Sequence, residues 1–364
     1  MFRQDTTIVV GAGASCEIGL PSGDQLKNQI LKLFEPSDEN AYGLKNDFLI
    51  SIVKARLSTL GQDFHFQSPE FQQERSSIRD AAVRIFRGLP LALSIDNFLH
   101  THQNDDEVVR LGKTAIAITI LLAEQKSAFY DRVSSVVSTQ IRLQNRARAM
   151  TLKSDALIAS WYFPFAQLLM SGISRLNAAD AFSRIRFVIF NYDRCLEQFL
   201  WMALQAYYDI SADEAAQILA DVEFLHPYGS LGPLPWQTSD HTKAVALGGG
   251  EAPNFWQIGS GIRTFTESVE SSLEPRIKDA MQRAKTILLL GFGYLDQNVQ
   301  LLTPYAEQQA ERVITSAYGV SQYDQTVITS VMKSFSKPYS AECMVEPGTC
   351  REVFNNFRLR LSLQ

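Results

Sequence analysis

Asn191, Asp193 and His226 are the side chains best set to do chemistry in this sequence, and two glycine-containing turns are the segments best set to hold a ligand. Asn191-Tyr192-Asp193 closes the apolar run Phe187-Val188-Ile189-Phe190. An amide and a carboxylate at a strand end can position a ribose, a water or a developing cation, or they can simply cap the next helix. His226 directly follows the short strand pattern Val222–Leu225 and precedes Pro227-Tyr228-Gly229. That setting suits a general base, against the competing reading of a structural histidine. The other histidines, His65, His100, His102 and His241, lack it.

The first glycine turn, Gly11-Ala12-Gly13-Ala14-Ser15, follows Thr6-Thr7-Ile8-Val9-Val10. Glycines let a backbone approach a pyrophosphate, and a helix start behind them favours an anion; the competing reading is a tight turn with no ligand. The dinucleotide fingerprint requires a third glycine where Cys16 stands, and its acidic ribose binder, about 20 residues on, would fall in helical sequence. No GxxxxGK[ST] motif is present. The second turn, Gly291-Phe292-Gly293-Tyr294-Leu295-Asp296-Gln297-Asn298, repeats the strand–glycine–helix pattern. It could hold the other end of a nucleotide, or be a turn capped by Asp296.

Apolar, β-branched runs predict strands at Thr6–Val10, Arg186–Phe190, Val222–Leu225, Thr286–Leu290 and Arg312–Ala317. Helical periodicity predicts Gln25–Phe34, with Asp24 as its N-cap, and a block with little strand signal over about 36–178. Within that block the helices are Phe48–Leu60, Glu74–Arg87, Asp106–Ala128, Asp131–Met150 and Asp155–Ile173, the last kinked or broken at Pro164. Ser94–Leu99 reads as a further helix start. Later helices are expected over Arg194–Tyr207, from the capping box Ser211-Ala212-Asp213-Glu214, and over Glu274–Ala284 and Gln322–Ser336. Residues 230–260 read as an irregular loop or lid. The alternation of strands and helices predicts a parallel, doubly wound α/β sheet with a helical block inserted between two of its strands.

With 364 residues, 46% of them hydrophobic, the chain can bury one large core or two ordinary ones. A net charge of -5 argues against a general nucleic-acid surface, so direct nucleic-acid binding is not expected. Cys16, Cys195, Cys343 and Cys350 have no CxxC spacing, which argues against a zinc ribbon and reads as reduced, cytoplasmic thiols. No His/Cys/Asp/Glu set has metal-ligand spacing, and no metal is expected. The first strand starts too early to leave room for a signal peptide. The apolar stretch Thr114 to Ala123 is too short to span a bilayer, so no membrane association is expected.

Taken in order, these clusters resemble the sirtuin-like superfamily. Gly11-Ala12-Gly13-Ala14-Ser15 with Gly19-Leu20-Pro21 resembles the family's opening GAGxS…GxP motif. Asn191-Tyr192-Asp193 stands where sirtuins carry Gln-Asn-Ile-Asp, His226 and Gly229 resemble the catalytic His-Gly, and Gly291–Asn298 resembles the later ribose- and adenine-side loop. Residues 5–25 and about 185–320 are covered. Ser94–Leu99 resembles a segment common in bacterial sirtuin-like defence proteins. The chain departs from protein-deacylating sirtuins in three ways: it lacks the four-cysteine zinc module, has Ser22-Gly23-Asp24 after the Gly-x-Pro, and separates His226 from Gly229 by Pro227-Tyr228.

The resemblance implies a Rossmann-like parallel sheet of the sirtuin type with a large helical insertion and no zinc module. Residues 1–35 and 180–364 would form the nucleotide-binding part and 36–179 the insertion. It implies an NAD+ hydrolase that cleaves the nicotinamide–ribose bond in antiphage defence, with NAD+ as substrate. Asn191, Asp193 and His226 would be catalytic. Gly11, Ala12, Gly13, Ser15 and Pro21 would serve the pyrophosphate side, and Gly291, Phe292, Asp296 and Asn298 the adenosine side. A homo-oligomer is implied, or a partner such as a HerA-type ATPase or a short Argonaute. The alternatives are a non-catalytic NAD- or ADP-ribose-binding module, and a deacylase or ADP-ribosyltransferase.

Overall fold

The computed structural model describes residues 2–35, 46–59, 61, 65–130, 150–250, 253–269, 272–305, 308–337 and 340–363. Strands β1 (Thr6–Val10), β2 (Ile185–Ile189), β3 (Phe224–Leu225), β4 (Thr286–Leu290), β5 (Arg312–Ser316) and β6 (Glu342–Glu346) form a 6-stranded sheet in the order β3-β2-β1-β4-β5-β6. Every pairing is parallel, and Val10 stands opposite both Ile189 and Leu290. This is a Rossmann-like architecture.

Between β1 and β2 lie α1 (Ala12–Cys16), α2 (Gly23–Leu33), α3 (Asn46–Thr59), α4 (Pro69–Gly88), α5 (Ile95–Thr101), α6 (Asp106–Lys126), α7 (Asp155–Ile158) and α8 (Tyr162–Met170). Helices α9 (Cys195–Tyr208) and α10 (Ala212–Ala220) follow β2. Helices α11 (Phe255–Gly259), α12 (Phe265–Val269) and α13 (Leu273–Arg283) precede β4. The chain ends through α14 (Asp296–Leu302), α15 (Gln322–Lys333), α16 (Cys350–Asn356) and α17 (Arg358–Leu363).

A parallel sheet covered on both faces favours near-continuous apolar or β-branched runs, which is what β1 and β4, each with all five residues buried, supply. Val9, Val188, Leu289 and Val313 enter one core, together with Ile30 of α2, Ile78 and Ile85 of α4 and Leu111 of α6. Ile8, Val10, Phe187, Ile189 and Leu288 enter the other, with Phe165 of α8, Phe199 of α9 and Phe354 of α16. Helices inserted between β1 and β2 therefore cover both faces of the sheet.

Several expectations need correction. Ser22, not Asp24, caps α2: its hydroxyl accepts the Gln25 N–H at 3.3 Å while the Gln25 side chain accepts the Ser22 N–H at 2.9 Å. The break in the helix expected over Asp155–Ile173 falls at Ala159–Trp161, before Pro164, which sits in the first turn of α8 where proline is tolerated. Strand β6 was not expected, because Glu-Cys-Met-Val-Glu at the sheet edge is only partly buried and lacks an apolar run. Asp296 is the first residue of α14 and makes no capping bond. Leu60, and residues 131–149 of the helix expected over Asp131–Met150, lie outside the described residues. The stretch Thr114 to Ala123, expected as a buried helix, lies in α6 and is buried except at Leu122, and among the described residues no helix is long and apolar enough to cross a membrane.

Candidate functional site

The strand order reverses at β1, whose neighbours β2 and β4 are reached by crossovers in opposite directions. In an open α/β sheet the crevice beyond the carboxyl ends of such strands is where ligands bind. Here the Gly11 turn leaves β1 and the Gly291 turn leaves β4, and the two are locked backbone to backbone. The Gly13 N–H donates to the Gly291 carbonyl at 3.0 Å, and the Gly11 N–H to the Leu290 carbonyl at 2.8 Å. A Cβ on Gly11 would stand 2.4 Å from the Gly291 oxygen, and one on Gly291 would stand 2.0 Å from the Ala14 nitrogen. Gly291 also has φ +57, a left-handed conformation that a side chain resists. The glycines are thus required by the approach of the two turns. Of the two readings of this segment, a phosphate cradle or a tight turn, the hydrogen bonds show the turn: the N–H groups of Gly11, Gly13 and Ala14 already have backbone partners.

Beside the locked turns lies a cavity of about 680 Å³, bounded by Gly13, Cys16, Glu17 and Leu20 from the β1 side, Gly291 and Phe292 from β4, and Ser316, Tyr318, Thr349 and Cys350 from the β5 and β6 ends. Its lining contains no lysine or arginine and one carboxylate, Glu17. Glu17 accepts the N–H groups of Trp161 at 2.8 Å and Arg351 at 3.2 Å; burial raises its carboxyl above the usual range against those bonds.

The amide of Asn191 donates to the Gly11 carbonyl at 3.1 Å and to the Ser15 hydroxyl at 2.7 Å. The Ser15 hydroxyl donates to Asp193 Oδ2 at 2.9 Å, and Asp193 Oδ1 accepts the Cys195 N–H at 3.1 Å. Asp193 therefore does hold the start of α9, the bland role considered for it, and at the same time joins Ser15 to Asn191. Asn191 and Asp193 are 6% and 5% exposed, so neither faces open solvent. Burial, with the charge of Glu124, pushes the Asp193 carboxyl up to about 6, against the opposing bonds from Cys195 and Ser15. The Asn191 Oδ1 is buried with no partner among the described residues.

His226 sits under this network. Its Nδ1 is 3.2 Å from the Asn191 carbonyl oxygen and its Nε2 is 2.7 Å from Glu197 Oε1. Both neighbours are acceptors, so the geometry is satisfied only when both ring nitrogens carry protons. Burial opposes that charge, but Glu197, the Asn191 carbonyl and Asp193 outweigh it and raise the His226 pKa. A base needs a free lone pair. In a neutral ring held by Glu197 at Nε2, the lone pair falls on Nδ1, which then opposes the Asn191 carbonyl and must turn away from it. Glu197 went unrecognised in the sequence, where its only signal is a carboxylate inside the apolar run Cys195-Leu196-Glu197-Gln198-Phe199-Leu200.

Of the expected site residues, Gly11, Ser15, Asn191, Asp193 and His226 belong to this one hydrogen-bonded network, while Gly13, Gly291 and Phe292 line the cavity. Gly11, Ala12, Ser15, Pro21, Asn191, Asp193, His226, Asp296 and Asn298 are not among its lining residues. Asp296 is exposed, and buried Asn298 accepts a hydrogen bond from Tyr228 at 2.6 Å. The sequence also gave no hint that Tyr192 donates to Asp96 of α5, or that Arg194 pairs with Glu124 of α6 at 2.7 Å. Among the described residues no group of three or more His, Cys, Asp or Glu side chains could hold a metal ion. No protein-family model matches the chain, and no curated protein matches it.

Proposed function

We propose that the chain binds NAD+ along the crevice at the β1 and β4 ends and hydrolyses its nicotinamide–ribose bond. The observation that carries this reading is convergence. The Gly11 and Gly291 turns, the Asn191 turn and His226 stand at the same end of adjacent parallel strands; the resemblance of their motifs to sirtuin-like proteins is what suggests NAD+ as the ligand. A lining with Glu17 and no cation suits a dinucleotide whose pyrophosphate is partly offset by its nicotinamide cation, and suits a nucleoside triphosphate poorly.

In the proposed reaction the C1′–N bond breaks, and nicotinamide leaves as a neutral molecule with the bonding electron pair. Positive charge then grows on the ribose, and water adds at C1′. Asn191, by its free Oδ1, would orient the ribose or the water. The Asp193 carboxylate would stabilise the cation at short range in a dry site, where such electrostatics are strongest. His226, turned at Nδ1 and held at Nε2 by Glu197, would take the water's proton, a role typically contributing about 10²–10⁴-fold in rate. Gly11, Ala12, Gly13, Ser15 and Pro21 would serve the pyrophosphate side, and Gly291, Phe292, Asp296 and Asn298 the adenosine side.

One observation favours a second reading. Asn191 and Asp193 already spend most of their hydrogen bonds inside the protein, as in a scaffold that binds NAD+ or ADP-ribose without turnover. Calorimetry with NAD+, run beside an assay for released nicotinamide, separates the two. Binding with release that is lost in Asn191→Ala supports hydrolysis, and binding without release supports the scaffold.

A further inference from the structure

Residues 191–194 alternate between two sets of partners. Asn191 and Asp193 turn toward Ser15 of α1, directly after β1, whereas Tyr192 and Arg194 turn toward α5 and α6, deeper in the insertion between β1 and β2. The Tyr192 hydroxyl donates to Asp96 on α5. Arg194 donates from its backbone N–H (3.2 Å), Nε (3.3 Å) and Nη2 (2.7 Å) to Glu124 on α6. Its remaining guanidinium donors reach the carbonyls of Gly232 at 3.2 Å, Val245 at 2.5 Å and Ala246 at 3.1 Å. Glu124 also accepts the Gly248 N–H at 2.7 Å.

The guanidinium is therefore fully satisfied, and the pair is nearly sealed, with side chains 1% and 0% exposed. A buried ion pair is a poor source of stability compared with an apolar pair of the same shape, so its worth here lies in fixing geometry. What it fixes is specific. One side chain, next in sequence to Asp193, ties α6 and two stretches of the 230–250 loop to the turn. Lysine, with three donors and no planar fork, could not replace it.

We propose that the inserted helices clamp the 191–194 turn from both sides, through Asp96 on Tyr192 and Glu124 on Arg194, and that these are positioning residues for the chemistry at Asn191 and Asp193. A displacement of α5 or α6, such as one imposed by a partner bound to the helical block, is then transmitted to the turn without any contact to the ligand. This role rests on the hydrolase reading, but the clamp itself can be tested apart from it.

The test uses the full chain in four forms: wild type, Tyr192→Phe, Glu124→Gln and Arg194→Lys. Tyr192→Phe removes one hydroxyl and keeps the ring, so it remains informative if a change at the buried ion pair impairs folding. Amide hydrogen exchange is followed in the 190–198 segment, in the 230–250 loop and in β1 and β4, and kcat and KM for NAD+ are measured beside it. The proposal expects faster exchange at 190–198 in every variant and unchanged protection in β1 and β4. Loop exchange should rise in the Glu124 and Arg194 variants alone. For turnover it expects kcat to fall at least tenfold with KM within threefold. Unchanged exchange at 190–198 overturns the clamp, and a changed turn with undiminished kcat overturns its positioning role. A wild type that releases no nicotinamide removes the hydrolase reading, and the positioning role with it, while the exchange result still decides whether the insertion holds the turn.

Discussion

Replacing Gly291 with alanine tests the lock between the two glycine turns, on which the whole crevice depends. The new Cβ would stand 2.0 Å from the Ala14 nitrogen and 2.4 Å from the Gly13 carbonyl carbon, both backbone atoms with little room to yield. An L-residue held at φ +57 costs about 1–2 kcal/mol, and overpacking a tight contact about 1–3 kcal/mol. Lost freedom of the unfolded chain returns about 0.4–1 kcal/mol, leaving a net destabilisation of about 1–5 kcal/mol. At about 2.1 cal/mol/K per residue, 364 residues give an unfolding entropy of about 0.76 kcal/mol/K, so each kcal/mol moves the thermal midpoint by about 1.3 °C. Gly291→Ala should therefore lower the midpoint by about 1–6 °C. Gly293→Ala, two residues away with nothing within 4 Å of its new Cβ, should shift it by less than about 1 °C. Differential scanning fluorimetry of the two variants beside wild type reads this directly. Equal small shifts would show that the turns are not locked as described, and a larger loss in Gly293→Ala would refute the reasoning outright.

Other expectations follow from the same network. The Asp193 carboxyl, raised from 3.8 to about 6, favours folding while protonated, so its contribution is lost as pH rises from about 3.8 through 6. That shift corresponds to about 3 kcal/mol. Asp193→Asn should flatten the fall in thermal midpoint across this window and remove any nicotinamide release; an unchanged pH profile of stability contradicts the assignment. The His226–Glu197 pair stabilises fully below the imidazole's ordinary value of 6.5 and loses that contribution as pH rises through the higher folded value. Glu197→Gln should abolish this alkaline loss, and a wild-type midpoint that is flat above neutrality would count against the pair. Cys16 is exposed at the cavity, whereas Cys195 and Cys350 are buried. Iodoacetamide followed by peptide mass spectrometry should label Cys16 ahead of those two, and saturating NAD+ should slow that labelling; unaltered labelling with bound ligand would move the ligand elsewhere.

The sheet was legible where strands are buried on both sides. Thr6–Val10 and Thr286–Leu290 are uninterrupted apolar or β-branched runs, and each was placed to the residue. Edge strand β6 escaped because a half-exposed edge places no such demand on Glu342–Glu346. Single-residue cap chemistry was legible at Ser211, whose capping box with Glu214 formed as expected. It failed at Asp24, where Ser22 and Gln25 offered a reciprocal pair and took the role. The site divides in the same way. Glycine turns and strand-end polar residues announce themselves locally. Their meeting, Gly11 with Asn191 and Gly13 with Gly291, follows from the parallel register, which no local pattern encodes. No local pattern marks the partners of Glu197, Glu124 and Asp96, because these lie 29, 70 and 96 residues away in sequence.

The most direct test of the central proposal is the amount of nicotinamide released from NAD+ by the purified chain, compared with Asn191→Ala and His226→Ala, each checked for a cooperative thermal transition. The account predicts equal yields of nicotinamide and ADP-ribose from wild type, with a loss of at least about 10²-fold in both variants. Release that is undiminished in folded Asn191→Ala and His226→Ala would contradict it.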